Sequence, residues 1–295
     1  MSRPTTERGM DMDKRTRVDL QQAKSRGERL VVVTAYDHAS ARIVDAAGVD
    51  AILVGDSLGM VVQGHDSTLP VTLEHVIYHT QCVVRAKPRA HVVADLPFGT
   101  FQRGADAALD AALRLVQEAG AEAVKLEGAG PRLAGIEAIA AADVPVWGHV
   151  GLTPQSIHAF GGYRVQGRDD ASRHVLQAAR DVENAGAAVL VLEAIPHELA
   201  GEITEALSIP TIGIGAGPRC DGQVLVFHDL LGFDEAFRPR FVKRYAAAFR
   251  DLTGAVEAFA TEVRDGTFPT LEHSYADRAR DGKKVAAREE NDGDG

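Results

Sequence analysis

The 295-residue chain is 45% hydrophobic and 25% charged, the balance of a globular protein with enough apolar material for one sizeable core. Its net charge of −10 argues against a nucleic-acid backbone binder, which would carry a basic face. No stretch approaches the roughly 18 uninterrupted apolar residues of a membrane span, and the polar start MSRPTTERGM has no apolar signal region, so a cytoplasmic protein with no membrane partner is expected.

Residues 1–16 are polar, charge-mixed and without period, and are expected to be a flexible N-terminal segment. From there short apolar runs alternate with helix-patterned stretches, which predicts parallel strands joined by crossover helices. The strands fall at 31–37 (VVVTAYD), 51–57 (AILVGDS), 91–97 (HVVADLP), 123–128 (AVKLEG), 144–151 (VPVWGHVG), 188–194 (AVLVLEA) and 211–217 (TIGIGAG). Between them, 104–120 and 171–186 carry an apolar helical face and a closing Gly.

The eighth unit is ambiguous. QVLVFHD at 223–229 has strand composition, but Asp221 before it has the character of a helix N-cap. Taking 221–231 as the seventh helix puts the last strand at about 240–245 (RFVKRY) and a final helix near 246–265. Eight β/α units predict an α/β protein, a single-domain (βα)8 TIM barrel over 17–275. The stretch 276–295 is charged and unpatterned, and is expected to be a disordered tail. Cys82 and Cys220 lie far apart without metal-ligand spacing, so neither a disulfide framework nor a zinc site is indicated.

In a parallel barrel both faces of a strand are buried, so a charge within such a run costs several kcal/mol unless it is paired or bound to a metal. Asp56, Asp95, Lys125, Glu127 and Glu193 all break their runs near strand C-termini, the end at which barrel enzymes carry their active sites. Alternation along the strand puts Lys125 and Glu127 on one face, pointing inward, and Val124 and Leu126 on the other. Lys125 is the more notable because only Lys87 shares the span between Lys24 and Lys243.

Taken singly, each of these residues has an ordinary structural explanation. Asp56 in GDS can cap a helix, Asp95 can be a turn acid, Glu193 a loop acid, His149 a hydrogen-bonded core histidine, and Lys125 with Glu127 a structural ion pair. Their coincidence at strand ends is what argues for a site. Three carboxylates from neighbouring strands suit a hard oxygen-preferring cation such as Mg²⁺, with His149 the nitrogen-bearing neighbour. The GIGAG run at 213–217 lacks the Lys-Ser/Thr of a phosphate loop and reads as a close-packed turn. HDSTLP at 65–70 and GGYRVQGR at 161–168 are candidate lids or cofactor contacts.

TAYD (34–37), VGDSLGMVVQGHDSTLPVT (54–72), ADLPFG (94–99), VKLEG (124–128), GHVGLTPQ (148–155), GGYRVQGR (161–168), VLEAIP (191–196), IGIGAG (212–217) and FPTLEHSY (268–275) together closely resemble the ketopantoate hydroxymethyltransferase family. The resemblance implies a barrel of the phosphoenolpyruvate/pyruvate type, a homo-oligomer with decamers typical, and Mg²⁺. It implies transfer of a hydroxymethyl group from 5,10-methylenetetrahydrofolate to 3-methyl-2-oxobutanoate, giving 2-dehydropantoate for pantothenate and coenzyme A biosynthesis. In the implied chemistry the Mg-assisted enolate of the keto acid attacks the methylene group of the reduced folate. Carried onto this chain, Asp56, Asp95 and Glu127 resemble the metal-site residues. Asp56, Ser57, Asp95 and Lys125 resemble the keto-acid set, with His149 added as their neighbour, and Glu193 resembles the proton acceptor. Two rival readings use the same acidic cluster: another Mg-dependent, enolate-forming keto-acid lyase on the same barrel, and a barrel that binds a keto acid without catalysis.

Overall fold

The structure is a computed structural model, and it describes residues 13–236 and 239–276. The expectations of a flexible start and a disordered tail fall largely on residues outside that range. At its near edge, Lys14 donates to the carbonyls of Pro88 and Ala90, and Thr16 caps the first helix.

In chain order the elements are α1 (Arg17–Arg26), β1 (Leu30–Thr34), α2 (His38–Ala46), β2 (Ala51–Val54), α3 (Leu58–Val61), α4 (Leu73–Val84), β3 (His91–Asp95), α5 (Ala105–Gln117) and β4 (Ala123–Glu127). They continue with α6 (Leu133–Ala141), β5 (Val146–Gly151), α7 (Ile157–Phe160), α8 (Ala171–Asn184), β6 (Val189–Glu193), α9 (His197–Ala206), β7 (Thr211–Ile214), β8 (Gly222–Leu225), α10 (Phe227–Leu231) and α11 (Ala248–Asp265). All eight strands are parallel and close into a barrel, with β8 pairing β1. Helix starts are set locally: Asp37 and Thr72 accept the backbone N–H three residues on and so satisfy donors the helix cannot.

Strand alternation divides the core in two. One set of side chains, including Val124, Leu126, Val146 and Leu190, packs outward against the helices. The other fills the lumen with Leu30, Val32, Leu53, Val93, Trp147, Val189, Val191, Ile212 and Val224. Leu20 and Ala23 of α1 join the lumen cluster, and Lys24 on the same helix bonds the Asp221 carboxylate at 2.9 Å. The expected inward direction of Lys125 and Glu127 is realised, because β4 pairs β5 with Lys125 opposite Trp147 and Glu127 opposite His149.

The eighth unit departs from expectation. The barrel closes through Gly222–Leu225, not through 240–245, which contains no strand, and β7 reaches β8 by residues 215–221 without a helix. Only Phe227–Leu231 of the expected 221–231 helix is helical, and it follows the last strand. The cause is the use made of Asp221. Its carboxylate accepts from the backbone N–H and hydroxyl of Thr211 and from Lys24, which staples the β7–β8 link in place of capping a helix. The final helix lies where the sequence put it, at Ala248–Asp265. No helix among the described residues is long and apolar enough to cross a membrane, and Cys82 and Cys220 are free thiols.

Candidate active site at the barrel mouth

The strand ends bring all seven candidate residues to one region. Asp95 closes β3 and accepts the backbone N–H of Asp56, just beyond β2, at 2.9 Å. Lys125 on β4 lies 2.9 Å from the other Asp95 oxygen and 4.0 Å from Glu127. His149 on β5 then bridges outward, with Nδ1 3.4 Å from Glu127 and Nε2 3.2 Å from Glu193. These last contacts are longer than good hydrogen bonds, so the imidazole is held between two carboxylates without being locked to either. Asp56, Asp95, Lys125, Glu127 and His149 are all buried, whereas the Glu193 side chain is partly open to solvent. Ser57 sits half-buried beside them, its hydroxyl 2.8 Å from that of Tyr36.

The helix-cap explanation of Asp56 does not hold. The helix that follows, α3, has no side-chain cap, and Asp56 accepts from the side-chain amide of Gln155 at 2.8 Å. Gln155 is a buried residue that the sequence reading passed over. It also donates to the Leu96 carbonyl, and its backbone N–H donates to Glu127 at 3.0 Å, so one residue ties the ends of β2, β3 and β4. Tyr36 was likewise missed. Both sit in motifs that carried the resemblance, TAYD and GHVGLTPQ, but neither bears a charge that would mark it within an apolar run. Gly151 has φ +100, and any Cβ there would collide with the Glu193 carbonyl, so glycine is what permits β5 to end against the start of the Glu193 loop. The GIGAG run forms the expected tight turn: Gly215 and Gly217 have positive φ, and a Cβ on Gly217 would strike His197.

Electrostatics set the character of the site. Burial raises the Asp56 carboxyl well above its ordinary range, and the neighbouring Asp95 and Glu127 add to it. Burial raises Asp95 too, against the pull of Lys125. Glu127 goes the other way: burial opposes its ionisation, but His149, Lys125 and the Gln155 N–H together hold it below the usual carboxylate range. Burial lowers the Lys125 and His149 values, but the surrounding carboxylates win, keeping Lys125 charged and lifting His149 to about 9. The raised Asp56 and Asp95 carboxyls mark a buried cluster in which negative groups outnumber the positive charges that could balance them.

That imbalance fits a divalent cation, since a keto-acid anion entering the site unaided would meet net repulsion. All the candidate ligands are oxygens, as a hard cation requires. Among the described residues no three His, Cys, Asp or Glu side chains form a ready-made metal cage.

Beyond Glu193 the mouth changes sign. A cavity of about 630 Å³ opens at the ends of β5–β7 and is lined by Tyr163, Arg164, Arg168 and Arg240. Tyr163, in the loop expected to act as a lid or a cofactor contact, reaches Met60 of α3 with its hydroxyl 3.7 Å from the sulfur.

The family model and the relatives by sequence agree on one family. The family model described as ketopantoate hydroxymethyltransferase matches residues 14–271. The 3-methyl-2-oxobutanoate hydroxymethyltransferase of Trichlorobacter lovleyi is 56% identical over 253 residues, covering 86% of this chain and 95% of its own. That of Pelobacter propionicus is 53% identical over 266 residues, covering 90% and 99%. Among solved structures the barrel is similar to a phosphoenolpyruvate phosphomutase from Streptomyces platensis subsp. rosaceus, with a TM-score of 0.59, 16% identity, and 94% of this chain and 98% of that one covered. It is also similar to a phosphonopyruvate hydrolase in complex with oxalate and Mg²⁺, with a TM-score of 0.58, 15% identity, and 92% and 97% covered. At these identities the structural likeness speaks for the fold alone.

Proposed function

The chain belongs to the ketopantoate hydroxymethyltransferase family, and on that premise we propose how its barrel mouth carries out the transfer of a hydroxymethyl group to 3-methyl-2-oxobutanoate. The observation that carries the reading is the run of contacts that starts at the Asp56 backbone N–H on Asp95 and passes through Lys125, Glu127 and His149 to Glu193. Residues 17–275 form the catalytic unit.

Glu193 takes the proton from C3 of the keto acid, leaving an enolate. Its partial solvent access and its contact with His149 support that role, because the carboxylate is oriented without being sealed off. Lys125 places a fixed positive charge against the substrate's oxygens, and Ser57, backed by Tyr36, offers a hydroxyl on the same side. His149 binds beside the keto acid and steadies Glu193. Gln155 holds the Asp56 and Glu127 carboxylates in register.

Asp56, Asp95 and Glu127 would hold Mg²⁺, which supplies Lewis-acid stabilisation of the negative charge developing on the substrate. The C3 electron pair forms the new bond to the methylene carbon of 5,10-methylenetetrahydrofolate as the first of that carbon's two carbon–nitrogen bonds breaks, the freed folate nitrogen keeping the electron pair and taking up a proton. Water then supplies the hydroxyl as the second carbon–nitrogen bond breaks in the same way, giving tetrahydrofolate and 2-dehydropantoate, which serves pantothenate and coenzyme A biosynthesis in the cytoplasm.

A homo-oligomer, with ten subunits as the resemblance implies, belongs to the same reading. Phe249, Leu252, Val256, Phe259 and Val263 recur at three- and four-residue intervals along α11 and are all exposed, an apolar stripe that supports association between copies.

The test combines purified protein, 3-methyl-2-oxobutanoate and methylenetetrahydrofolate with Mg²⁺ or with EDTA, and follows 2-dehydropantoate by mass. Product with Mg²⁺ and none in chelator is the expected result. Full turnover in EDTA would remove the metal from the mechanism, and absence of product under every condition would remove the reaction itself.

A further inference from the structure

The second half of the mouth has a charge that the keto-acid site does not use. Arg164, Arg168 and Arg240 line the cavity at the ends of β5–β7, and among the described residues none of their guanidiniums has an ion-pair partner. Three free cations around one cavity are unexpected in a chain of net charge −10. One carboxylate lines the same cavity, Glu198, and it lies 2.9 Å from the imidazole of His197.

The cavity begins where the proposed base ends. Ala194, the residue after Glu193, is part of its wall, and Gly215, one residue beyond β7, forms another part. Ala194 is held at φ +47, and its carbonyl accepts from the backbone N–H of Gln166 at 2.9 Å, which ties the arginine-bearing loop to the end of β6. One end of the cavity therefore abuts the reacting centre, and the other carries exposed guanidiniums and the half-exposed ring of Tyr163.

We propose that this cavity binds the one-carbon donor lengthwise, with its reactive end at Glu193 and its glutamate carboxylates on Arg164, Arg168 and Arg240. The inference rests on the transferase reading of the neighbouring site. A reduced folate has the required shape and charge pattern: a pterin that must approach C3 of the keto acid, a flat benzoyl spacer for the Tyr163 ring, and a terminal glutamate with two carboxylates. Planar guanidinium forks recognise carboxylates, and their positive field guides the anion toward a mouth whose other half is acidic.

The test uses the full-length protein with Mg²⁺ and compares the affinity of tetrahydrofolate with that of tetrahydropteroate, which lacks only the glutamate. Tetrahydrofolate should bind the wild type at least tenfold more tightly, and a triglutamate form more tightly still, with both advantages shrinking as salt rises. In Arg164→Gln, Arg168→Gln and Arg240→Gln the tetrahydrofolate advantage should fall by roughly 1.5-fold to fivefold each, as expected for one exposed ion pair. Equal binding of the two compounds by the wild type, or an advantage untouched in all three variants, would overturn the proposal. Deuterium exchange at C3 of the keto acid, measured on the wild type without donor, separates the two levels of inference. Exchange with no glutamate preference overturns this proposal alone, whereas absence of exchange overturns the proposed reaction and this proposal with it.

Discussion

His149 and His91 lie in the lumen of one barrel, 2% and 3% exposed, and titrate in opposite directions. His149, at the mouth, is lifted to about 9 because the carboxylates of Glu127 and Glu193 flank its two nitrogens and outweigh both burial and the charge of Lys125. His91 begins β3 at the floor and is pushed down to about 4, chiefly by burial, with Lys14 adding to the effect and Glu122 and Asp19 opposing it. Its ring lies over Trp147 at 6.5 Å, and at 3.7 Å from Glu122 it is better described as a neutral imidazole near a carboxylate than as an ion pair. Burial is common to both histidines. What differs is the company each keeps, and that separates a floor built for packing from a mouth built for charge.

The sharpest way to break this contrast is to remove charge from the mouth. Glu193→Gln should lower both C3 deuterium exchange and product formation by roughly 10²–10⁴-fold while leaving thermal stability near that of the wild type. Proton NMR in D₂O without folate reads the exchange. A wild-type exchange rate in the variant would move the base elsewhere, with His149 the next residue to examine.

Removing packing from the floor should do the opposite. Trp147→Ala should cost about 3–5 kcal/mol of stability in denaturant titration, the range for emptying a buried Trp site, while the folded fraction keeps its affinity for the keto acid. Loss of keto-acid binding without loss of stability would show that floor and mouth are not separable.

Lys125→Ala tests the cation of the mouth. Keto-acid binding should weaken roughly 10-fold to 100-fold, the equivalent of one charge-assisted hydrogen bond, and more than folate binding does. Equal weakening of both ligands would argue for general damage to the site.

His91→Gln is the smallest change and sharpens the floor. A histidine whose folded pKa lies near 4, below the ordinary 6.5, makes no difference to stability above about pH 6.5. As the pH falls through that window the unfolded chain binds the proton first and stability drops, by about 2 kcal/mol at pH 5. The glutamine variant should therefore lose less stability than the wild type between pH 7 and pH 5 in thermal unfolding, and parallel losses would show that His91 does not carry the effect.

Much of this contrast was already legible in the sequence. A charge inside an apolar parallel strand is costly enough to need a reason, which is how Asp95, Lys125, Glu127 and Glu193 stood out and why alternation alone turned Lys125 and Glu127 into the lumen. The same signal did not reach Gln155 and Tyr36. Each is uncharged and lies just past a strand, and its importance lies in partners far along the chain: Asp56 and Leu96 for Gln155, and Ser57 for Tyr36.

By itself the sequence determined the barrel, the residues at its mouth and the position of the final helix, because periodicity and the cost of buried charge are local properties of the chain. Where the barrel closes was decided only in three dimensions. Asp221 has the sequence character of a helix cap, and its neighbours QVLVFHD suit either strand or helix, so local preference leaves both open. The choice falls to contacts with Thr211, ten residues back, and Lys24, on the helix under the floor. Gly222, whose missing Cβ lets β8 close against Leu30, completes the selection. The opposite charges of the two halves of the mouth were decided in the same way, since Arg164 and Arg168, after β5, and Arg240, after α10, line one cavity only once the barrel has brought these distant loops together.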